Sequence, residues 1–218
     1  MMLKIFILAL ALGLRAAPLG AAEPADIKLS QPDLKAKGMT VIEALKKRKS
    51  DREFSDRELS LRHLSEVLWA AGGINRPEKS GGGRTAPTAR NLQAIEIFAI
   101  TRAGVYRYDP PSHELKLLTP GDHRTSAGEQ AYVAAAPLNI IYVADLNKLG
   151  VKGGQIPITA AMDMGHFSQN VYLYCASAGL NTVTRISIDP KALAPLLKID
   201  KNFQPLMGQT VGYPPDKP

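Results

Sequence analysis

From residue 40 onward the apolar positions follow two rhythms. In "TVIEALKKRKS" (40–50) Thr40 and Glu43 stand as a Thr-x-x-Glu capping box, which predicts a helix starting at Thr40 and ending near "RKSDREFSD". In "SLRHLSEVLWAAGG" (60–73) Ser60 is a cap, and Leu61, Leu64, Leu68 and Ala71 share one helical face until Gly72 and Gly73 stop it. The spacing then shortens. "AIEIFAI" (94–100) reads as a strand, and "GVYRYDPPSHELKLL" (104–118) as a hairpin around Asp109-Pro110-Pro111. "GEQAYVAAAP" is a short helix, and "LNIIYVAD" (138–145) is apolar on both faces, hence a central strand. "ITAAMDMGHFSQNVYLYCASAGL" (158–180) is the longest helix, apolar nearly all round and closed by Gly179. A helix of that kind has to be covered on every side, which in a chain this short predicts a second subunit. "NTVTRISI" is a strand, "DPKALAPLLK" a helix and "PLMGQTVGY" a final strand, while 74–84 and 147–157 read as glycine-containing loops.

Helices come first, then strands and helices mixed, with a hairpin and no G-x-G-x-x-G after a first strand. That order argues against a doubly wound dinucleotide fold and for an α+β layered domain over residues 40–218. The triple glycine at 81–83 is not a phosphate-binding loop, because no Gly-Lys-Ser/Thr follows it.

The first 39 residues differ. "MMLKIFILALALGLRAAPLGAAEP" has Lys4, an apolar run from Ile5 to Leu14 and small residues Gly20, Ala21 and Ala22. That is the layout of a secretory signal peptide over residues 1–22, with a run too short to span a bilayer. It predicts an exported, periplasmic protein whose mature chain has no membrane span. Residues 23–39, polar with Pro24 and Pro32, predict an extended arm.

The 218 residues suffice for one domain with a real core, and the formal net charge of +7 falls to +5 once Lys4 and Arg15 are removed with the leader. Apart from "KKRK" at 46–49 the basic residues are scattered, with no aromatic-interleaved groove, so no nucleic-acid partner is expected and an anionic small ligand fits as well. The single cysteine, Cys175, forms no internal disulfide and sits in an apolar helix, where it reads as core.

Two stretches carry the candidate chemistry. In "RKSDREF" (48–54) Arg48, Ser50 and Arg52 fall at i, i+2 and i+4 just past a helix, so in an extended turn they can point to one side. Guanidinium forks suit phosphate oxygens and planar polar edges, although arginines at a helix end also serve the helix dipole. The second stretch is "TAPTARNLQ" (85–93), a polar turn opening onto a strand.

Together the two stretches resemble the FMN-dependent nitroreductase family. Its first signature stands here as Arg48-Lys49-Ser50-Asp51-Arg52-Glu53-Phe54 and its second as Pro87-Thr88-Ala89-Arg90-Asn91-Leu92-Gln93, with Thr88 keeping the hydroxyl of the usual serine. "LSEVLWAAGGIN", the long 158–180 helix and "VGYP" are also similar to segments of that family, so the likeness spans about residues 40 to 215. The resemblance implies an α+β fold, an obligate homodimer and FMN in pockets at the interface. It places Arg48, Lys49 and Ser50 on the phosphate and ribityl chain and Arg52 at the N1/O2 edge of the flavin. It takes Pro87, Thr88, Ala89 and Asn91 from the partner subunit, supported by Gln93, and sets Thr184, Arg185 and Ile186 along the flavin face. With few basic residues after "GYP", only Lys217 remains there for the phosphate, which throws weight onto Arg48. The implied reaction is ping-pong hydride transfer through flavin N5, from NAD(P)H or another donor to a nitroaromatic, quinone or similar acceptor, with no side chain as nucleophile. A flavin-dependent dehydrogenase of a small molecule or peptide heterocycle, or a non-catalytic flavin-binding protein, are the alternatives.

The remaining candidates are bland. Asp163 and His166 lie three apart on the long helix and, with no second pair, are expected to be a satisfied buried polar pair and not metal ligands. His63 is expected on a helix, half-buried, His113 and His123 in turns, and Trp69 in the core.

Overall fold

The computed structural model describes residues 25–79, 81–151 and 158–216; the leader expected over 1–22 and Lys217 lie outside the described residues. The elements in chain order are β1 (Ile27–Lys28), α1 (Val41–Lys47), α2 (Leu61–Gly72), β2 (Ile74–Arg76), β3 (Gly83–Arg84), β4 (Ile95–Ile100), β5 (Gly104–Asp109) and β6 (Glu114–Pro120). They continue with α3 (Ala131–Ala135), β7 (Leu138–Asp145), α4 (Leu146–Leu149), α5 (Ile158–Ala178), β8 (Asn181–Arg185), α6 (Pro190–Leu197) and β9 (Phe203–Gly212). Seven strands form one sheet in the order β1-β6-β5-β4-β7-β9-β8, every described pairing antiparallel. Helices cover both faces, so the α+β layered architecture is as expected from the sequence.

Strand periodicity sorts the core into two layers. Ile97 and Ala99 of β4, with Ile140 and Tyr142 of β7, meet Leu68, Phe167 and Val171 of α2 and α5. Their neighbours Phe98, Ile100, Ile141 and Val143 face Val133, Leu193 and Leu197 of α3 and α6 on the other side. β7 is buried at all eight positions, in line with its apolar residues on both faces. The close approach of α2 to α5 depends on Gly72, where a Cβ would lie 2.5 Å from Phe167.

The predicted caps are in place. Thr40 Oγ1 accepts the Glu43 N–H while Glu43 accepts the Thr40 N–H, and Ser60 Oγ accepts the His63 N–H. Gly179 closes α5 at φ +70°, with the Leu180 N–H reaching back to the Cys175 carbonyl at 2.9 Å. Cys175 is buried, and burial pushes its thiol pKa up. Trp69 is half-buried and spends its indole N–H on the Ile74 carbonyl.

Four expectations need correction. Residues 74–84 are not simply a loop: β2 and β3 pair as a small ribbon, because Gly81 and Gly82 accept positive φ at its turn and Arg84 donates to the Gly72 carbonyl at 2.7 Å. The 147–157 stretch begins as the one-turn helix α4, capped by Asp145; residues 152–157 lie outside the described residues. β8 stops at Arg185, short of Ile188, because the chain turns to the Asp189 cap of α6. Asp163 and His166 are not a buried pair: Asp163 is 3% exposed and bonded to Ala89, whereas His166 is exposed. Neither α5 nor any other described helix is long and apolar enough to cross a membrane.

The N-terminal arm is more than extended. Its strand β1 pairs with β6 at the sheet edge, and His113, in the turn between β5 and β6 as expected, is only 4% exposed and clamps the arm. One ring nitrogen, Nδ1, lies 2.8 Å from the Tyr108 hydroxyl, and Nε2 lies 3.0 Å from the Ser30 carbonyl. Burial lowers the His113 pKa against the opposing pull of the Ser30 carbonyl. With the folded pKa below the unfolded one, the unfolded state binds more protons in the window between them, so this contribution is intact above about pH 6.5 and is lost as pH falls toward the folded value. Protection of the 27–30 amides, their exchange measured against the intrinsic rate at each pH, is expected to fall between pH 7 and pH 5, and a His113→Asn variant is expected to be poorly protected at both.

Candidate functional site

Arg48 ends α1 as its C-cap, donating its N–H to the Ala44 carbonyl at 2.8 Å, and residues 49–60 then run on without regular structure. Three contacts tie this segment to the ends of β8 and β9. The Asp51 N–H donates to the Thr182 carbonyl at 3.0 Å, Asn181 Nδ2 to the Glu53 carbonyl at 2.8 Å, and the Ser55 N–H to the Tyr213 carbonyl at 3.0 Å. The result is a cationic turn on a fixed base. Lys49 pairs with Asp51 at 3.2 Å, Arg52 is exposed, and Arg48 lies over the Tyr172 ring at 5.4 Å from its centroid.

Tyr172, which sequence reading treated only as part of an apolar helix, is the hub of this half. Its hydroxyl accepts the Thr184 N–H at 3.0 Å and stands 2.9 Å from Ser50 Oγ and 3.2 Å from Thr184 Oγ1. One phenolic proton serves whichever of those two hydroxyls accepts it. Ser50 and Thr184, 134 positions apart in a chain read end to end, are thus brought to one oxygen. The i, i+4 rhythm of α5 gave no sign that this tyrosine faced a polar neighbour.

The second half is the 87–93 turn. Arg90, Asn91 and Gln93 hold φ of 52°, 55° and 48°, three left-handed residues without a glycine among them. Such conformations persist only when the surroundings over-determine them. Thr88 Oγ1 accepts the Gln93 N–H at 3.1 Å, and Gln93 Oε1 accepts from Arg84 Nε at 3.0 Å while its Nε2 donates to the Gly82 carbonyl at 2.9 Å. Asp163 completes the hold: both carboxylate oxygens accept the Ala89 N–H, at 3.0 and 3.1 Å. Burial raises the Asp163 pKa, opposed by that bond. Pro87, Thr88 and Ala89 line a cavity of about 250 Å³ with Thr159, Met162 and His166.

Within one chain the two halves stay apart. Asp163 and Tyr172 are nine residues apart on α5, about 13 Å along the axis. The third predicted segment divides by strand alternation. Thr184 turns toward Tyr172, whereas Arg185 is 7% exposed and points to the other face, donating to Thr210 Oγ1, to the Ala127 carbonyl at 2.8 Å and to Asn139 Oδ1 at 3.2 Å. Strand alternation accounts for the split: in a strand the residue after one that faces Tyr172 faces away. Ile186, past the strand end, is 85% exposed. Among the described residues no group of three or more His, Cys, Asp or Glu is placed to hold a metal ion.

The sequence model of the Nitroreductase family matches residues 45–213. A nitroreductase homologue of Methanocaldococcus jannaschii is 30% identical over 197 residues, covering 85% of this chain and 96% of its own. The crystal structure of a nitroreductase homologue from Ralstonia eutropha superposes with a TM-score of 0.81 at 37% identity, over 94% of this chain and 97% of that one. One from Anabaena variabilis, at 21% identity and a TM-score of 0.69, shares the fold over 80% of this chain and 38% of its own. The fold is thus the layered α+β kind, and the family match marks an oxidoreductase. The chain belongs to the nitroreductase family and is an enzyme of that family.

Proposed function

We propose that this enzyme is an FMN-dependent oxidoreductase that works as a homodimer, exported to the periplasm with residues 1–22 removed. The observation that carries the reading is the separation of the two halves of the site on α5. A second copy is what brings the 87–93 turn of one chain to the 48–52 turn of the other. An apolar surface is available for it: Val41, Ile42 and Leu45 of α1, and Ile158 and Met162 of α5, are all exposed. Patches of this kind mark interfaces.

The donor set suits the cofactor. Arg48, Lys49 and Ser50 present two cations and a hydroxyl in one turn, as a phosphate on a ribityl chain requires. Arg52, with no ion pair among the described residues, favours negative charge on the pyrimidine edge of the ring. The turn at 87–91 walls the ring from the other subunit, and Thr184, with the backbone of Arg185 and Ile186, lies along its face. When bound, FMN supplies two-electron hydride chemistry at N5, between NAD(P)H or another donor and a nitroaromatic, quinone or similar small acceptor. The chain's own residues bind, orient and stabilise charge.

The test is the visible spectrum of the purified protein with added FMN, before and after reduction, alongside its molecular mass in solution. A retained flavin band that bleaches, on a dimer, is the expected result; no bound flavin at excess FMN overturns the reading. An intact Met1 on protein from its native host overturns the export. Tyr172→Phe removes the hub oxygen and is expected to weaken FMN binding about tenfold, the scale of one to two lost hydrogen bonds, as read by flavin fluorescence titration.

A further inference from the structure

The guanidinium of Arg185 is a charge the site described above does not use. It lies 93% out of solvent, and among the described residues no carboxylate is within ion-pair distance of it. Its partners, Thr210 Oγ1, Asn139 Oδ1 and the Ala127 carbonyl, are all neutral, and its Nε has no partner among the described residues. Two glycines make room for it: a Cβ at Gly128 would lie 2.5 Å from Nε, and one at Gly208 would lie 2.9 Å from Cζ. Burial brings its pKa down to about 10, so it is a full cation at neutral pH. Buried charges are ordinarily paired, and leaving one unpaired is costly. Salt and water screen such a charge poorly, so it acts beyond its contacts.

Arg185 directly precedes the exposed Ile186, whose backbone the flavin reading sets along the ring. Covalent reach alone keeps the Arg185 Cζ within about 8 Å of the Ile186 nitrogen, whatever its rotamer. We propose that Arg185 is a positioning and electrostatic residue of the flavin site: its buried, unpaired cation strengthens the binding of reduced, anionic FMN over oxidised FMN, while its bonds to β7, β9 and the 124–127 turn fix the strand end that carries Ile186. The proposal rests on the flavin reading. It assigns the countercharge for this cation to the cofactor, from behind the sheet end, in addition to Arg52 at the ring edge.

The experiment measures the dissociation constants of oxidised and reduced FMN on the full-length wild type and on two variants, with circular dichroism and thermal unfolding as folding controls. Arg185→Met removes the charge. Asn139→Asp leaves the arginine and its other bonds, gives up the Asn139 Nδ2 bond to the Val133 carbonyl, and sets a carboxylate against the guanidinium at the 3.2 Å contact, so where it folds it tests the charge even if Arg185→Met does not. In each, reduced FMN is expected to lose about tenfold in affinity relative to oxidised FMN, equivalent to a fall of about 30 mV in the potential of the bound flavin as a two-electron couple. Arg185→Lys, which keeps the charge, is expected to recover most of that ratio. A wild type that binds FMN and folded variants with an unchanged ratio overturn this proposal alone. A wild type that binds no FMN overturns the flavin reading, and this proposal with it.

Discussion

Arg52→Ala is expected to cut flavin-dependent turnover about a hundredfold while leaving the thermal unfolding midpoint within about 2 °C of the parent. The two effects separate because of where the side chain sits. Arg52 is exposed in an irregular segment that is anchored by the backbone of its neighbours Asp51 and Glu53, and it makes no ion pair among the described residues. Truncating it opens no cavity and strands no buried partner, so folding has little to lose. What it removes is a fixed guanidinium where negative charge is proposed to develop, and loss of one such donor typically costs a factor of about 10² to 10³. Arg52→Lys is expected to recover only part of the rate, since an ammonium does not reproduce a planar fork. An alanine variant with the parent's turnover and flavin affinity would mean that Arg52 has been placed wrongly.

Phe167→Ala is the substitution expected to damage the fold most. Phe167 is 1% exposed, stands edge-on to Tyr142 at a centroid distance of 6.5 Å, and fills the space that Gly72 leaves between α2 and α5. No neighbouring backbone can close that gap without moving a helix. A loss of about 3–5 kcal/mol is expected in urea unfolding, with the slope of the transition unchanged. Because α5 carries both Asp163 and Tyr172, cofactor binding should weaken along with stability. A loss under about 1 kcal/mol would show that α2 and α5 can re-pack across the gap.

Much of this architecture is written in local signals. The capping box of Thr40 and Glu43, the cap at Ser60 and the glycine at 179 act within a few residues, so they fix helix ends wherever the helix later packs. The apolar residues on both faces of 138–145 identify a strand buried on both sides, because only a central strand has two faces to fill. What escaped the sequence depends on distant partners. The 74–84 ribbon looks like loop composition, and it forms because Arg84 and Gln93 bond back to the Gly72 and Gly82 carbonyls. Tyr172 and Asp163 sit among apolar residues on one helix, and their roles come from Thr184 and Ala89, which other segments deliver. For Arg185 the family motif marked the position, while the direction of the side chain followed from the register of β8 on β9. His113 was legible as a turn residue but not as the clamp it is, since its partner Ser30 lies 83 residues away.

The two-residue strand β1 has a consequence for how the molecule behaves in company. It lies along β6, the outermost long strand on that side of the sheet, where Asp26 also takes the Leu117 N–H at 2.8 Å and Leu29 donates to the His113 carbonyl at 3.1 Å. A bare strand edge is a template on which another chain can add its own strand. A protein trimmed to start after residue 30 would lose Leu29 from the edge of its core but keep the rest and its cationic turn, and would offer that template to every neighbouring copy. Such a truncation should aggregate on standing or at high concentration even where it is folded and active when fresh.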